Sequence, residues 1–425
     1  MPPANPFDLL IERGLVHDHT DPDELRQHLE SGERTFYVGY DPTASSLHVG
    51  NLVGLMAMAW LQRSGHHPIA LAGGATGRIG DPSFRDEERS LLDDQTVATN
   101  LAGIMADFGR VLDLEDTVVV DNYSWTKDIS VLDFLRDVGQ HFSVNQLISR
   151  ESVRRRLEDR EQGISFTEFS YALLQAMDFD HLYASHGCTV QAGGSDQWGN
   201  IVAGVDLVRR RRGARVHAFT WPLVEGSDGK KFSKSAGNAP WLDPHQTSAF
   251  AYYQWWLNSD DHDVERFLRM FTFLPLENIS QAVADHEADP GRRSGQRLLA
   301  TEATRIVHGD TGVAAAEQAT GVLFGDTPVG QLDEAVLAMA FEQAPTAELP
   351  RAELDEGIGL LDLMTRVGAS RSNGEARRLV EQGGVRINDQ PVTDSTRTVS
   401  AADLATATTL VLRVGKKRQY LARFR

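Results

Sequence analysis

The sequence predicts an α/β protein with a mostly parallel sheet, then a helical region, then a small α+β tail. Three observations carry that reading. Short apolar or β-branched runs alternate with helical patterns over roughly the first 240 residues, as parallel α/β folds require. Each polar or glycine-rich segment there follows a strand candidate, where open parallel sheets place their ligands. Charge is also split along the chain. Residues 357–425 hold 12 Lys+Arg against 6 Asp+Glu, a balance of +6, while the rest carries 30 against 54, or −24.

Taken in order, 36–40 is an apolar run ended by the turn Asp41-Pro42-Thr43. Helical periodicity starts near His48 and runs through Leu52, Leu55, Met56, Ala59 and Trp60 to Ser64-Gly65. Residues 68–72 read as a buried strand feeding the glycine-rich stretch 73–80. Residues 117–121, 189–192 and 219–224 are further strand candidates, with helices over 131–139 and 166–177 between them. From 243 to 341 the pattern is helical. Residues 343–357, rich in Ala, Pro and Glu, read as a linker. The tail then shows helices over 360–367 and 375–382 and strands over 385–388 and 410–414. The expected domains are 1–242, 243–342 and 357–425, with 343–356 as linker.

The 41% hydrophobic and 24% charged content is that of an ordinary globular protein. The longest apolar stretch, 52–61, is about half the ~20 residues that span a bilayer, and residues 1–16 lack the features of a targeting signal. Cys188 is the only cysteine, so an intramolecular disulfide or thiolate metal cluster is excluded. A protein outside the membrane, in the reducing cytoplasm, is the expectation.

Two segments bear on phosphate. In Asp41-Pro42-Thr43-Ala44-Ser45-Ser46-Leu47-His48-Val49-Gly50-Asn51 a turn leads into a helix start. A helix N-terminus offers unpaired N–H groups and a positive dipole end, Gly50 allows close approach, and Thr43 and His48 can donate hydrogen bonds. A capped helix carrying a surface histidine would account for the same residues. The second segment is Lys230-Lys231-Phe232-Ser233-Lys234-Ser235 between glycines, suited to a loop that supplies positive charge to a polyphosphate, or to a solvated basic turn.

Together, the H-x-G-N start and the K-F-S-K-S segment resemble the two signatures of class I aminoacyl-tRNA synthetases, with Asn51 where a second histidine is common. The segments 36–43, 73–82, 166–178 and 193–200 look like those of tyrosyl-tRNA synthetases, and this resemblance extends over essentially the whole chain. It implies a Rossmann-like catalytic domain and a tyrosine–tRNA ligase activity that uses ATP with Mg²⁺, without a dedicated metal site. Tyr37 and Asp178 would bind the substrate phenol. Asp81, Tyr171 and Gln175 would hold its ammonium group, and Gln197 would sit near its carboxylate. Gly39, Asp41, His48, Gly50, Asn51, Asp196 and Lys234 would contact ATP. Thr43, His48, Lys231, Lys234 and Ser235 would act on its phosphates during catalysis. The positions 171, 175 and 178 are four and three apart and so share one helix face.

The tail resembles an S4-type RNA-binding module, in which Arg371, Arg377, Arg378 and Lys417 would contact phosphates of tRNA(Tyr). The family resemblance also implies a homodimer. A tryptophanyl-tRNA synthetase shares both signatures, but Tyr37 with Asp178, the segment 194–200 and the basic tail argue against it. A dinucleotide-dependent oxidoreductase is disfavoured because the glycines of 73–80 are not spaced G-x-G-x-x-G.

Overall fold

The computed structural model describes residues 5–425 except 82–92, 149–152, 155–156, 158–163, 227–228, 230–231, 233–238, 325–326 and 416–417. The chain forms two compact units, one of Met1–Thr247 with Trp255–Val307, the other of Ser248–Gln254 with His308–Arg425.

The first unit is built on β1 (Thr35–Tyr40), α1 (Val49–Arg63), β2 (His67–Ala72), α2 (Asp94–Val111), β3 (Val118–Asp121), α3 (Phe166–His186), β4 (Cys188–Gly194), α4 (Trp198–Arg212) and β5 (His217–Trp221). The sheet order is β3-β2-β1-β4-β5 and every pairing is parallel. The order reverses between β1 and β4, so the carboxyl ends of these two strands flank the crevice where such sheets bind ligands. Pro222 closes β5 early: it has no N–H to donate, and the strand expected over 219–224 runs two residues nearer the N-terminus.

Apolar faces explain the layering. Ten residues of α1 are buried, so this helix lies within the core rather than half in solvent. Tyr37, Ile69, Leu71, Phe179, Leu182, Cys188, Val208 and Val216 form one cluster between sheet and helices. Helix α3 starts at Ser165, whose side chain accepts from Glu168 N–H, and stops at Gly187 in the left-handed conformation (φ 61°). It is nine residues longer than its periodic core suggested. Among the described residues, no helix is long and apolar enough to cross a membrane.

The second unit holds a sheet of order β6-β12-β11-β8-β9, from β6 (Thr346–Leu349), β8 (Val385–Ile387), β9 (Gln390–Val392), β11 (Thr409–Val414) and β12 (Arg418–Phe424). Strands β7 (Ile358–Gly359) and β10 (Thr398–Val399) pair separately, and helices α5 (Leu360–Arg366) and α6 (Asn373–Glu381) cover the core. The 343–356 stretch is not a linker. Its β6 pairs in parallel with β12, and Leu349 and Leu354 are buried in the same core as Leu410 and Phe424. Composition hid this because half of a four-residue edge strand faces solvent. The helical stretch 243–342 likewise divides between the two units. Its long helical run Ser294–Phe324 is interrupted at Gly309, whose φ of 70° no helix interior adopts.

Candidate active site

Of the residues expected to bind tyrosine and ATP, those among the described residues lie at or near the carboxyl ends of β1–β4. Close approach of those ends demands glycines: a β-carbon at Gly73 would lie 2.3 Å from Asp41 Oδ1, and one at Gly74 would lie 2.2 Å from Asp121 Oδ1. Gly39, the exposed position of β1, borders the same region.

At the inner end, Asp178 is buried and accepts from Asn122 Nδ2 and from Trp125 Nε1, both at 2.9 Å. Asn122 is fully buried and also donates to Thr76 Oγ1 at 3.1 Å, while its Oδ1 accepts from Ala75 N–H at 2.7 Å. Thr76 Oγ1 donates to Asp41 Oδ1 at 2.7 Å, and Tyr171 OH donates to Asp41 Oδ2 at 2.9 Å. A continuous network thus runs Trp125–Asp178–Asn122–Thr76–Asp41–Tyr171. Burial pushes the Asp178 carboxyl up to about 7, with the Asn122 and Trp125 donors pulling it down and Asp41 and Asp121 pushing it further up.

Near this carboxyl, Tyr37 OH is buried with no hydrogen-bond partner among the described residues. Burial, then the charges of Asp178 and Cys188, drive its phenol well above the ordinary value, so it is a neutral donor. A buried polar group without a partner needs an explanation, and a hydroxyl-bearing ligand between Tyr37 and Asp178 supplies one.

On the side of β4, Gln197 Nε2 donates to Asp81 Oδ2 at 2.6 Å, and Asn200 Nδ2 reaches Asp81 Oδ1 at 3.4 Å and Gln197 Oε1 at 3.2 Å. Asp196 lies in the 3₁₀ turn ahead of α4. Gln175 is half-buried on α3, on the face it shares with Tyr171 and Asp178.

The residues expected to face phosphate, Thr43, His48, Gly50 and Asn51, sit at or just before the start of α1. His48 is its N-cap: Nδ1 accepts from Gly50 N–H at 3.0 Å, and His48 N–H donates to Asn51 Oδ1 at 3.2 Å. Because Nδ1 accepts, the ring proton sits on Nε2. Asn51 Oδ1 is thereby taken up in the helix cap. Thr43 lies in the turn, its N–H on the Asp41 carbonyl at 2.8 Å. Phe232, within K-F-S-K-S, is buried against Trp255 and Phe267. A β-carbon at Gly50 would lie 2.5 Å from the Phe232 carbonyl oxygen, so the two signatures meet at Gly50. Lys231, Lys234 and Ser235 lie outside the described residues, as does Lys417 in the tail. Arg371, Arg377 and Arg378 are exposed, the last two on α6, whose Ala376 and Val380 face the core.

Residues 30–325 match the family model for class I tRNA synthetases (W and Y), and residues 337–422 match the tyrosine–tRNA ligase SYY-like C-terminal domain. The chain belongs to the tyrosyl-tRNA synthetase family. Similar relatives include the tyrosine–tRNA ligase of Opitutus terrae, 47% identical over 97% of both chains, and that of Mycobacterium tuberculosis H37Rv, 47% identical with the same coverage. A solved C-terminally truncated Aspergillus nidulans mitochondrial tyrosyl-tRNA synthetase superposes with a TM-score of 0.70 at 33% identity. It covers 76% of this chain and 94% of its own. Family membership makes the chain an ATP-using tyrosine–tRNA ligase of class I.

The reading of the sequence passed over Asn122, Trp125 and Thr76 and gave Asn200 no role of its own. Asn122 carried one weak signal, its place directly after the 117–121 strand. Thr76 lay within the glycine-rich stretch 73–80 without a role of its own, and Trp125 carried no signal.

Proposed function

We propose that this chain activates L-tyrosine with ATP to tyrosyl-adenylate and pyrophosphate, then transfers tyrosine to the 3′ end of tRNA(Tyr). The observation that carries the tyrosine assignment is the partnerless Tyr37 hydroxyl beside the Asp178 carboxyl that Asn122 and Trp125 hold in place. The substrate phenol donates to Asp178 and accepts from Tyr37. Phenylalanine would leave both unsatisfied in a buried pocket, which costs binding.

The substrate ammonium is held by Asp81, Tyr171 and Gln175, and Gln197 steers the carboxylate. That carboxylate is already ionised and attacks the α-phosphorus in line as pyrophosphate leaves. No protein nucleophile or strong base is needed, so catalysis rests on positioning and charge stabilisation. Gly39, Asp41 and Asp196 lie towards the ribose. Gly50, Asn51 and the N-terminus of α1 lie towards the phosphates. His48 Nε2–H and Thr43 donate to the terminal phosphate, and Lys231, Lys234 and Ser235 add donors and positive charge. Mg²⁺ is expected with ATP, carried on its phosphates. A terminal adenosine hydroxyl of tRNA then attacks the adenylate carbonyl, while Arg371, Arg377, Arg378 and Lys417 hold tRNA phosphates.

The working form is a cytoplasmic homodimer. Val131 (73% exposed), Leu132 (77%) and Phe166 (76%) are large apolar side chains left in solvent, which a second copy would cover.

The test is ATP–pyrophosphate exchange with each of the twenty amino acids, without tRNA. Exchange with tyrosine alone is the expected result. Exchange with tryptophan would move the specificity, and none with any amino acid would reject the activation chemistry.

A further inference from the structure

Three positions of α2, spaced three and four apart and so on one face, bear on the turn that leads into α1. Asn100 Nδ2 donates to the Pro42 carbonyl at 2.9 Å. A β-carbon at Gly103 would lie 1.8 Å from the Ser45 carbonyl oxygen, so helix and turn touch backbone to backbone. Asp107 is buried and accepts at Oδ2 from Ser46 Oγ and Leu47 N–H, both at 2.8 Å, and at Oδ1 from Arg110 Nε at 3.1 Å.

Ser46 Oγ also accepts from the backbone N–H of Asp243 at 3.1 Å. One hydroxyl therefore ties the turn before His48 to the chain that follows K-F-S-K-S. Two backbone bonds reinforce the tie: Leu242 N–H to the Leu47 carbonyl at 2.9 Å, and Val49 N–H to the Pro240 carbonyl at 3.0 Å. A buried carboxylate with donors on both oxygens is a stiff anchor, because moving any partner leaves a desolvated polar group unpaired. None of the residues read as binding tyrosine (Tyr37, Asp81, Tyr171, Gln175, Asp178, Gln197) is hydrogen-bonded to Asp107 or Ser46 among the described residues.

We propose that Asp107, acting through Ser46, is a positioning residue for tyrosine activation that sets Thr43 and His48 against the ATP phosphates. The inference rests on the activation reading above. It predicts a split between rate and amino-acid binding, since transition-state stabilisation depends on sub-ångström placement, whereas the Asp178 carboxyl at the phenol end is held directly by Asn122 and Trp125 rather than by Ser46 or Asp107.

The experiment compares Ser46→Ala, Ser46→Thr and Asp107→Asn in the full chain, by tyrosine-dependent ATP–pyrophosphate exchange and by equilibrium dialysis of tyrosine. Ser46→Ala and Asp107→Asn are expected to lower kcat about tenfold with tyrosine Kd unchanged. Ser46→Thr, which keeps the hydroxyl, restores most of the rate. In the double variant Ser46→Ala/Asp107→Asn, a loss no larger than the greater single loss supports one shared relay, and additive losses refute it. An unchanged kcat in both single variants, with only the melting temperature lowered, would overturn the proposal. So would equal losses of rate and tyrosine binding. If Ser46→Ala does not fold, the volume-conserving Asp107→Asn decides alone. Absence of exchange by the unaltered chain would instead reject the activation reading itself.

Discussion

Asn122 Nδ2 lies 2.9 Å from Oδ2 of Asp178, a residue 56 positions later in the chain. Asn122 also joins Thr76 and the Ala75 N–H, so the end of β3 holds a carboxyl group carried by α3. The arrangement holds the buried Asp178 carboxyl in place with both of its oxygens hydrogen-bonded.

Asn122→Ala should therefore weaken tyrosine recognition more than catalysis. Loss of a hydrogen bond to a charged, buried group costs roughly 1.5–3 kcal/mol. We expect the KM for tyrosine in pyrophosphate exchange to rise about 10- to 100-fold, with poorer discrimination against phenylalanine. A KM within twofold of the unaltered chain rules this role out.

Tyrosine binding should depend on pH through Asp178, whose carboxyl burial raises to about 7. Below that value the folded protein holds the proton, and the group no longer accepts from the phenol with a full charge. The KM for tyrosine should fall as pH rises from about 6 to about 8 and then level off. The linkage to stability runs the opposite way with pH. The raised value means the folded state binds the extra proton, so this contribution is full below about pH 4 and is lost as pH rises through about 7. A KM for tyrosine independent of pH across 6–8 contradicts the assignment.

Gly50→Ala places a methyl group 2.5 Å from the Phe232 carbonyl oxygen and 2.7 Å from His48 Cε1, so backbone or imidazole must shift. A displacement near 1 Å at a reacting centre can cost about a hundredfold in rate. We expect kcat of activation to drop by about that factor with tyrosine Kd unchanged. Full exchange activity in this variant would falsify the meeting of the two signatures at Gly50.

Glu334 accepts from Thr406, Thr408 and Thr409 hydroxyls. Burial pushes its carboxyl up, but these donors and Thr408 N–H outweigh burial and bring it to about 2. Its stabilisation is present above the ordinary glutamate range near 4.5 and is lost as pH falls through about 2. Glu334→Ala should reduce tRNA charging by roughly tenfold, through loss of several hydrogen bonds in the tail unit, and leave pyrophosphate exchange intact. Parallel assays of exchange and aminoacylation separate the two, and an equal fall in both counts against a tail-specific role.

The periodicity of 48–64, the glycines of 73–80 and the turn at 41–43 are local features, and each settled its own element from neighbouring residues alone. That is why the alternating α/β order, the helix start near His48 and the shared face of Tyr171, Gln175 and Asp178 could be read directly. The 343–356 stretch could not, because a short edge strand draws its stability from a partner more than 70 residues away. The same reason hid Asn122, Trp125, Thr76 and Asp107. A lone asparagine, tryptophan, threonine or aspartate has no pattern of its own, and its role exists only once chain crossings bring a partner within 3 Å or so. By itself the sequence determined the fold class, the two signatures and the family. Tertiary structure alone decided that Asp178 is buried with two donors, that Tyr37 OH lacks a partner, and that Asn51 serves the helix cap. Burial and hydrogen bonding between distant segments are properties of the folded chain, not of any stretch of it.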